Sequence, residues 1–184
     1  QEDTTVEKQP FGQFLGNAAH QFRPVFFCLF KFRNKGEFTA LFFDIRKFNL
    51  LNGDTFWLSE TPDSVSVGWD ASMERICTYG RFFNVKTKDT LVVFNAHFDH
   101  IGERSRKESA KLILNKIKEL RFEKSKVAVL GDFNSIPSSD PIEIFKSELH
   151  DALEVSQQEP CGPTGTFNSF QLDHNLNARI DYVM

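Results

Sequence analysis

Lys126-Val127-Ala128-Val129-Leu130-Gly131-Asp132-Phe133-Asn134 is an apolar run that ends in polar groups, the pattern of a buried strand delivering side chains to the edge of a sheet. Strand side chains alternate faces, which places Asp132 and Asn134 on one side and Phe133 on the other. A carboxylate and an amide brought together suit hydrolysis of a phosphate ester. The carboxylate can orient or deprotonate a water, and the amide NH2 can donate to a phosphoryl oxygen as charge builds there. Gly131 to Asn134 also suit a turn, since Gly-Asp and Asn-Ser are common loop pairs.

A second strand with a polar end lies upstream, where Leu91-Val92-Val93-Phe94 runs into Asn95-Ala96-His97-Phe98-Asp99-His100. Alternation puts Asn95, His97 and Asp99 on one face and turns His100 away. Between the two strands, Ala110, Ile113, Leu114, Ile117 and Leu120 fall on one face of a helix spanning Glu103 to Arg121. A strand, helix, strand crossover joins parallel strands whose carboxyl ends share one sheet edge, the edge where open α/β sheets bind ligands. His97 and Asp132 are therefore expected to be neighbours. Ala178 to Val183 reads as a third strand, with Arg179 and Asp181 on one face and Ile180 and Tyr182 on the other; a surface ion pair would explain its charges equally well.

The rest of the chain reads as one continuous domain, without linker, repeat or low-complexity segment. A helix is expected over Thr4 to Phe22, interrupted near Pro10. Hairpins are expected for Val25 to Phe32 with Glu37 to Ile45, and for Arg75 to Val85 with Thr90 to Ala96. Asp140-Pro141 should open a short helix running to Leu149, and Pro160 to Phe170 reads as loop. Many strands with few covering helices suggest an α/β fold of two packed sheets flanked by helices.

Composition bounds the function. The chain has 184 residues, 40% of them hydrophobic, which suffices for a substantial core. Lys and Arg number 22 against 25 Asp and Glu, a net charge of −3, so the basic footprint of a tight duplex binder is absent and small substrates are favoured. No run is long enough to span a bilayer. Cys28, Cys77 and Cys161 lack metal-ligand spacing and read as reduced core or surface thiols; the cellular setting is left open by the sequence, with a lean to the cytoplasm. His20, His150 and His174 have no partner pattern, Glu37 reads as a strand boundary, and Tyr79 reads as packing. No protein partner is indicated, and a monomer is expected.

Taken in order along the chain, four blocks resemble the endonuclease/exonuclease/phosphatase superfamily, which includes deoxyribonuclease I, abasic endonucleases, inositol polyphosphate 5-phosphatases, sphingomyelinases and deadenylases. Gln1-Glu2 looks like the family's Gln-Glu metal motif, and Asn95-Ala96-His97-Phe98-Asp99 resembles its Asn-Thr-His-Leu-Asp block. Gly131-Asp132-Phe133-Asn134 matches its Gly-Asp-Phe-Asn, and Arg179-Ile180-Asp181-Tyr182 its Ile-Asp-Tyr. Thr55 to Pro62, with Gly68-Trp69-Asp70 and Arg75, further resembles a largely bacterial-type subgroup of small phosphohydrolase-like members. The resemblance implies a four-layer αββα sandwich. It also implies a strand before Gln1 and a Ser-Asp-His segment after a central Ile-Asp-Tyr strand, so the chain is expected to be an incomplete domain, inactive as it stands.

The resemblance assigns roles as well. Glu2 would hold Mg2+ or Mn2+, hard cations that prefer oxygen ligands. Asp132 would orient the attacking water, Asn134 would bind a phosphoryl oxygen, and His97 would act as acid or hydrogen-bond donor. Asp181 would orient the family's carboxyl-terminal His. Arg75 and Arg106 are candidates for substrate phosphate, whose oxygens match an Arg fork, with Asn95 and Asp99 as further substrate-binding candidates. The expected activity is divalent-metal-dependent hydrolysis of a small phosphorylated metabolite. The alternatives are an endonuclease or exonuclease on DNA or RNA, and a non-catalytic binding relative. A rival reading takes His97-Phe98-Asp99-His100 as part of a His-x-His-x-Asp-His zinc signature of metallo-β-lactamase-type hydrolases, although Asn95 stands where its first His belongs.

Overall fold

The apolar run from Lys126 forms a strand that ends at Asp132. The structure, a computed structural model, describes residues 7–10, 26–30 and 38–184 apart from Leu172 and His174. In chain order the elements are β1 (Glu7–Pro10), β2 (Phe26–Phe30), β3 (Leu41–Asp44), β4 (Phe48–Trp57), β5 (Ile76–Asn84), β6 (Thr90–His97), α1 (Glu103–Glu119), β7 (Lys126–Asp132), α2 (Asp140–Lys146), α3 (Ala152–Val155) and β8 (Asp181–Val183). They form a three-stranded sheet, β1-β2-β3, and a five-stranded sheet, β4-β5-β6-β7-β8. The larger sheet is mixed: β6 and β7 run parallel, joined by the α1 crossover, and its other pairs are antiparallel.

Each face of β6 packs against a different layer. Val92, Phe94 and Ala96 are buried in the main core with Ala110, Ile113, Leu114 and Ile117 of α1. Val93, on the opposite face, packs into a smaller cluster with Leu41, Phe43 and Phe82. Asn95 shares that second face and donates from Nδ2 to the Ala40 carbonyl at 3.0 Å. Beside it, the Thr78 hydroxyl lies 2.9 Å from those of both Thr39 and Thr55. These buried polar groups bond one another, as burial requires, and join the two sheets directly below the level of His97.

Several expectations need correcting. Glu7–Pro10 form a strand paired with β2, where a helix over Thr4 to Phe22 was expected; the rest of that span lies outside the described residues. The ten-residue β4 was not foreseen at all. The third strand is shorter than expected, covering only Asp181–Val183, and it pairs with β7 in the larger sheet. Ala178 instead bridges Phe167, inside the expected loop. The short helix after Ser139 stops at Lys146, and the alternation expected to carry through Asn134 stops at Asp132. Both hairpins and the β6-α1-β7 unit form as expected.

Candidate active site

Three strands bring one polar residue each to the same row. His97 of β6 pairs with Asp132 of β7 in parallel register, and Asp132 pairs with Asp181 of β8 in antiparallel register. In every case the next residue is aromatic and goes to the core: Phe98, Phe133 and Tyr182 are all buried. Phe133 lies 4.9 Å from Phe98, 5.6 Å from Tyr182 and 5.0 Å from Phe145, centroid to centroid. Stacked and tilted rings at these separations add directional attraction to their burial. The Tyr182 hydroxyl is anchored by donating to the Ser135 carbonyl at 2.8 Å. The polar row therefore stands on a buried aromatic floor.

His97 Nε2 lies 3.7 Å from Asp132 Oδ2, and both side chains are about one third exposed, at 34% and 31%. That separation is too long for a hydrogen bond but close enough for charge attraction. Burial raises the Asp132 carboxyl above its usual range and the charge of Asp181 pushes the same way, against the bond from the Asn134 amide and the nearby charges of His97 and Arg75. A carboxylate made more basic in this way is a better acceptor of a proton from water. Asp181 itself is exposed, with its backbone N–H and that of Ile180 donating to Thr166 Oγ1.

Asn134 reaches the row by a turn. Its backbone has φ 46°, a left-handed conformation that Asn tolerates better than most residues. Its N–H donates to Asp132 Oδ1 at 2.8 Å, and Nδ2 donates to the Phe98 carbonyl at 2.9 Å. An amide NH2 carries two hydrogens, so this bond leaves the second available to a ligand. Gly131 makes the approach of the two parallel strands possible, because it has φ 133° and a Cβ there would collide with the Ala96 carbonyl oxygen.

The other substrate-binding candidates do not join the row. Asp99, expected on the face of His97, lies beyond the end of β6 and is fully buried. Its Oδ1 accepts from the Ile101 and Gly102 amides, and its Oδ2 from the Ser72 amide and hydroxyl and from Arg75 Nε. Burial works against the charged carboxylate, but the Gly102 amide and the Ser72 hydroxyl, with further backbone bonds, outweigh it and hold the carboxyl far below its usual range. Arg75 is only 2% exposed, and its guanidinium meets Asp99 and His100. Asn95 ties the sheets together as described above. Arg106 is half-buried and donates from Nη1 to the Asp99 carbonyl at 3.1 Å; with Glu103, Asn134, Ser139 and Asp140 it lines a recess of about 470 Å³ beside the row.

Residues not foreseen as part of the site brace its wall. Asp70 accepts from the Arg104 and Ser105 amides and so caps α1 from outside the helix. Gly102 allows this, since a Cβ there would sit 2.6 Å from Asp70 Oδ1. His100 Nδ1 lies 3.0 Å from the Arg75 guanidinium. Guanidinium only donates, so the ring nitrogen accepts and the imidazole proton sits on Nε2; the nitrogen that the zinc reading could use is taken by Arg75. The one sequence signal for this wall was Asp99 two residues before Ile101 and close to the helix start, the spacing of an Asx turn.

Among the described residues no three His, Cys, Asp or Glu side chains gather into a metal cage, and Glu2 lies outside them. Asp132 and Asp181 nevertheless bring two carboxylates to one row, and hard oxygen donors suit Mg2+ or Mn2+.

A model of the endonuclease/exonuclease/phosphatase family matches residues 16–184. The chain belongs to that family. An endonuclease/exonuclease/phosphatase family protein from Bacteroides thetaiotaomicron is 38% identical in sequence with a TM-score of 0.76, over 82% of this chain and 55% of its own. A mannosyl-6-phosphatase of the same organism is 36% identical with a TM-score of 0.81, over 87% of this chain and 62% of its own. An uncharacterized protein of Acanthamoeba polyphaga mimivirus is 34% identical over 82 residues, 43% of this chain and 30% of that protein. The chain thus spans less than two thirds of the length of these relatives. Members of the endonuclease/exonuclease/phosphatase family are phosphoesterases and nucleases, and the fold described here is their α/β fold. Among the described residues no helix is long and apolar enough to cross a membrane.

Proposed function

We propose that this chain carries the centre of a divalent-metal-dependent phosphoesterase that acts on a small phosphorylated metabolite, a sugar phosphate first among the candidates. The observation that carries the reading is the row His97, Asp132, Asp181 with Asn134 beside it. A mannosyl-6-phosphatase among the similar structures, and the net charge of −3, favour a small substrate over duplex nucleic acid.

Asp132 orients the attacking water and takes its proton, helped by the burial that raises its carboxyl. Asn134 donates the second hydrogen of its amide to a phosphoryl oxygen, and Arg106 is placed to reach the same group from the adjoining recess. His97 donates to the phosphoryl or leaving oxygen. Asp181 orients the imidazole that the family resemblance places after it. Glu2 would hold Mg2+ or Mn2+, which neutralises charge on the phosphate when bound.

Hydrolysis by the whole protein with Mg2+ or Mn2+ at physiological salt tests the reading, with phosphate release followed on sugar phosphates and inositol phosphates and strand cleavage followed on a short oligonucleotide and plasmid DNA. Turnover of a small ester above all others is expected. Preferential nicking of plasmid would make the protein a nuclease, and no hydrolysis of any ester would make it a binding relative.

A further inference from the structure

We infer that Arg75 is a positioning residue for the His97 and Asp132 site, acting through Asp99 and His100 on the turn that follows β6; the inference rests on the hydrolytic reading just proposed. Arg75 precedes β5 and its carbonyl accepts from the Leu58 amide at 2.7 Å, so its backbone is fixed to the larger sheet. Its guanidinium is 2% exposed and lies 3.3 Å from Asp99 Oδ2, which is fully buried, and 3.0 Å from His100 Nδ1. A guanidinium remains charged and presents donors in a planar fork. Two of its directions are thus spent on consecutive residues of one turn.

That turn carries much of the proposed site. His97 precedes it. The Phe98 amide donates to the Asp132 carbonyl at 2.9 Å, and the Phe98 carbonyl receives Asn134 Nδ2 at 2.9 Å. The Asp99 carbonyl receives Arg106 Nη1 at 3.1 Å. Moving the turn therefore displaces His97, Asn134 and Arg106 together. Ser72 and Asp70 hold the same turn and the start of α1 from the segment leading to Arg75, so the segment from Gly68 to Arg75 acts as one brace. The Arg75 charge also reaches Asp132, where it opposes the effects of burial and of Asp181.

The test uses Arg75→Lys, Arg75→Met and His100→Ala in the whole protein, each checked for folding by thermal melting. Kinetics are measured with Mg2+ on the ester that the wild type turns over best, and the His97 ring resonances are followed by NMR. Arg75→Lys should lower kcat about 10- to 100-fold, as small misplacements of reacting groups do, with KM within about 2-fold. His100→Ala should lower kcat by about 3- to 10-fold by the same logic. Arg75→Met should lose more than Arg75→Lys, and the His97 resonances should move in all three variants. A raised KM with kcat retained would make Arg75 a substrate contact and overturn the inference. Unchanged kcat and unchanged His97 resonances in folded variants would make it a structural residue only, with the same result. If the Arg75 variants do not fold, His100→Ala, which alters an exposed ring, decides alone. A wild type that hydrolyses no ester refutes the functional reading, whereas the NMR comparison still decides whether Arg75 positions His97.

Discussion

Asp132 faces Asp181 across the antiparallel β7/β8 pair, and the residues that follow them, Phe133 and Tyr182, stack on the other side of the sheet with ring planes 5° apart. Two carboxylates of like charge are thereby held together by the packing beneath them. Like charges and burial each disfavour ionisation, so the arrangement costs stability that the aromatic floor must offset.

That cost gives the first prediction. The Asp132 carboxyl is raised in the folded protein by burial, then by Asp181, over the Asn134 bond. A raised carboxyl binds more protons folded than unfolded, so its destabilising effect is absent below the unfolded value of 3.8 and complete above the folded one. Asp132→Asn, which keeps an acceptor for the Asn134 amide, should be at least as stable as wild type at neutral pH without added metal, and the difference should shrink on acidification. Urea midpoints across that range measure it; an Asn variant less stable at neutral pH would contradict the argument.

The floor itself gives the second. Phe133 is fully buried among Phe98, Phe145 and Tyr182, so Phe133→Ala should cost on the order of 3–5 kcal/mol by lost transfer and cavity formation. Phe170, 93% exposed, should tolerate Ala with little change. Comparable denaturation midpoints for the two variants would remove the floor from the account.

A third concerns α1. Gly102 stands at its N-cap without a side chain to cap it, and Asp70 supplies the acceptors instead. Asp70→Ala should cost about 1 kcal/mol, the usual value of a cap, and Asp70→Asn less. Hydrogen exchange at the Arg104 and Ser105 amides should rise in the Ala variant; unchanged protection there would show that the cap is not needed.

The parts of this fold that were legible in sequence are those with strong local patterns. The apolar runs ending at His97 and Asp132, and the helical spacing from Ala110 to Ile117, were enough to place β6, α1 and β7 side by side. The Phe48–Trp57 strand was missed because Asn49, Asn52, Gly53 and Asp54 interrupt its apolar positions and its register shifts between Leu50 and Asn52; its strand state comes from pairing with β5, which no local pattern encodes. Glu7–Pro10 likewise owes its strand state to β2. Asp99 lies beyond the reach of the strand's alternation. The strand ends at His97, and the next carboxylate turns inward to meet Arg75 and Ser72, from a segment 24 or more residues earlier. Pairing of buried charges across that distance leaves no periodic trace.

The central claim is that His97 and Asp132 act together on a phosphate ester, and a double-mutant cycle on kcat tests it most directly. In the whole protein with Mg2+, Asp132→Asn and His97→Ala should each lower kcat by roughly two to four powers of ten while the protein stays folded. The double variant should lose far less than the product of the two, as groups acting in one step do. Full turnover in either single variant, or losses that simply multiply, would contradict the account.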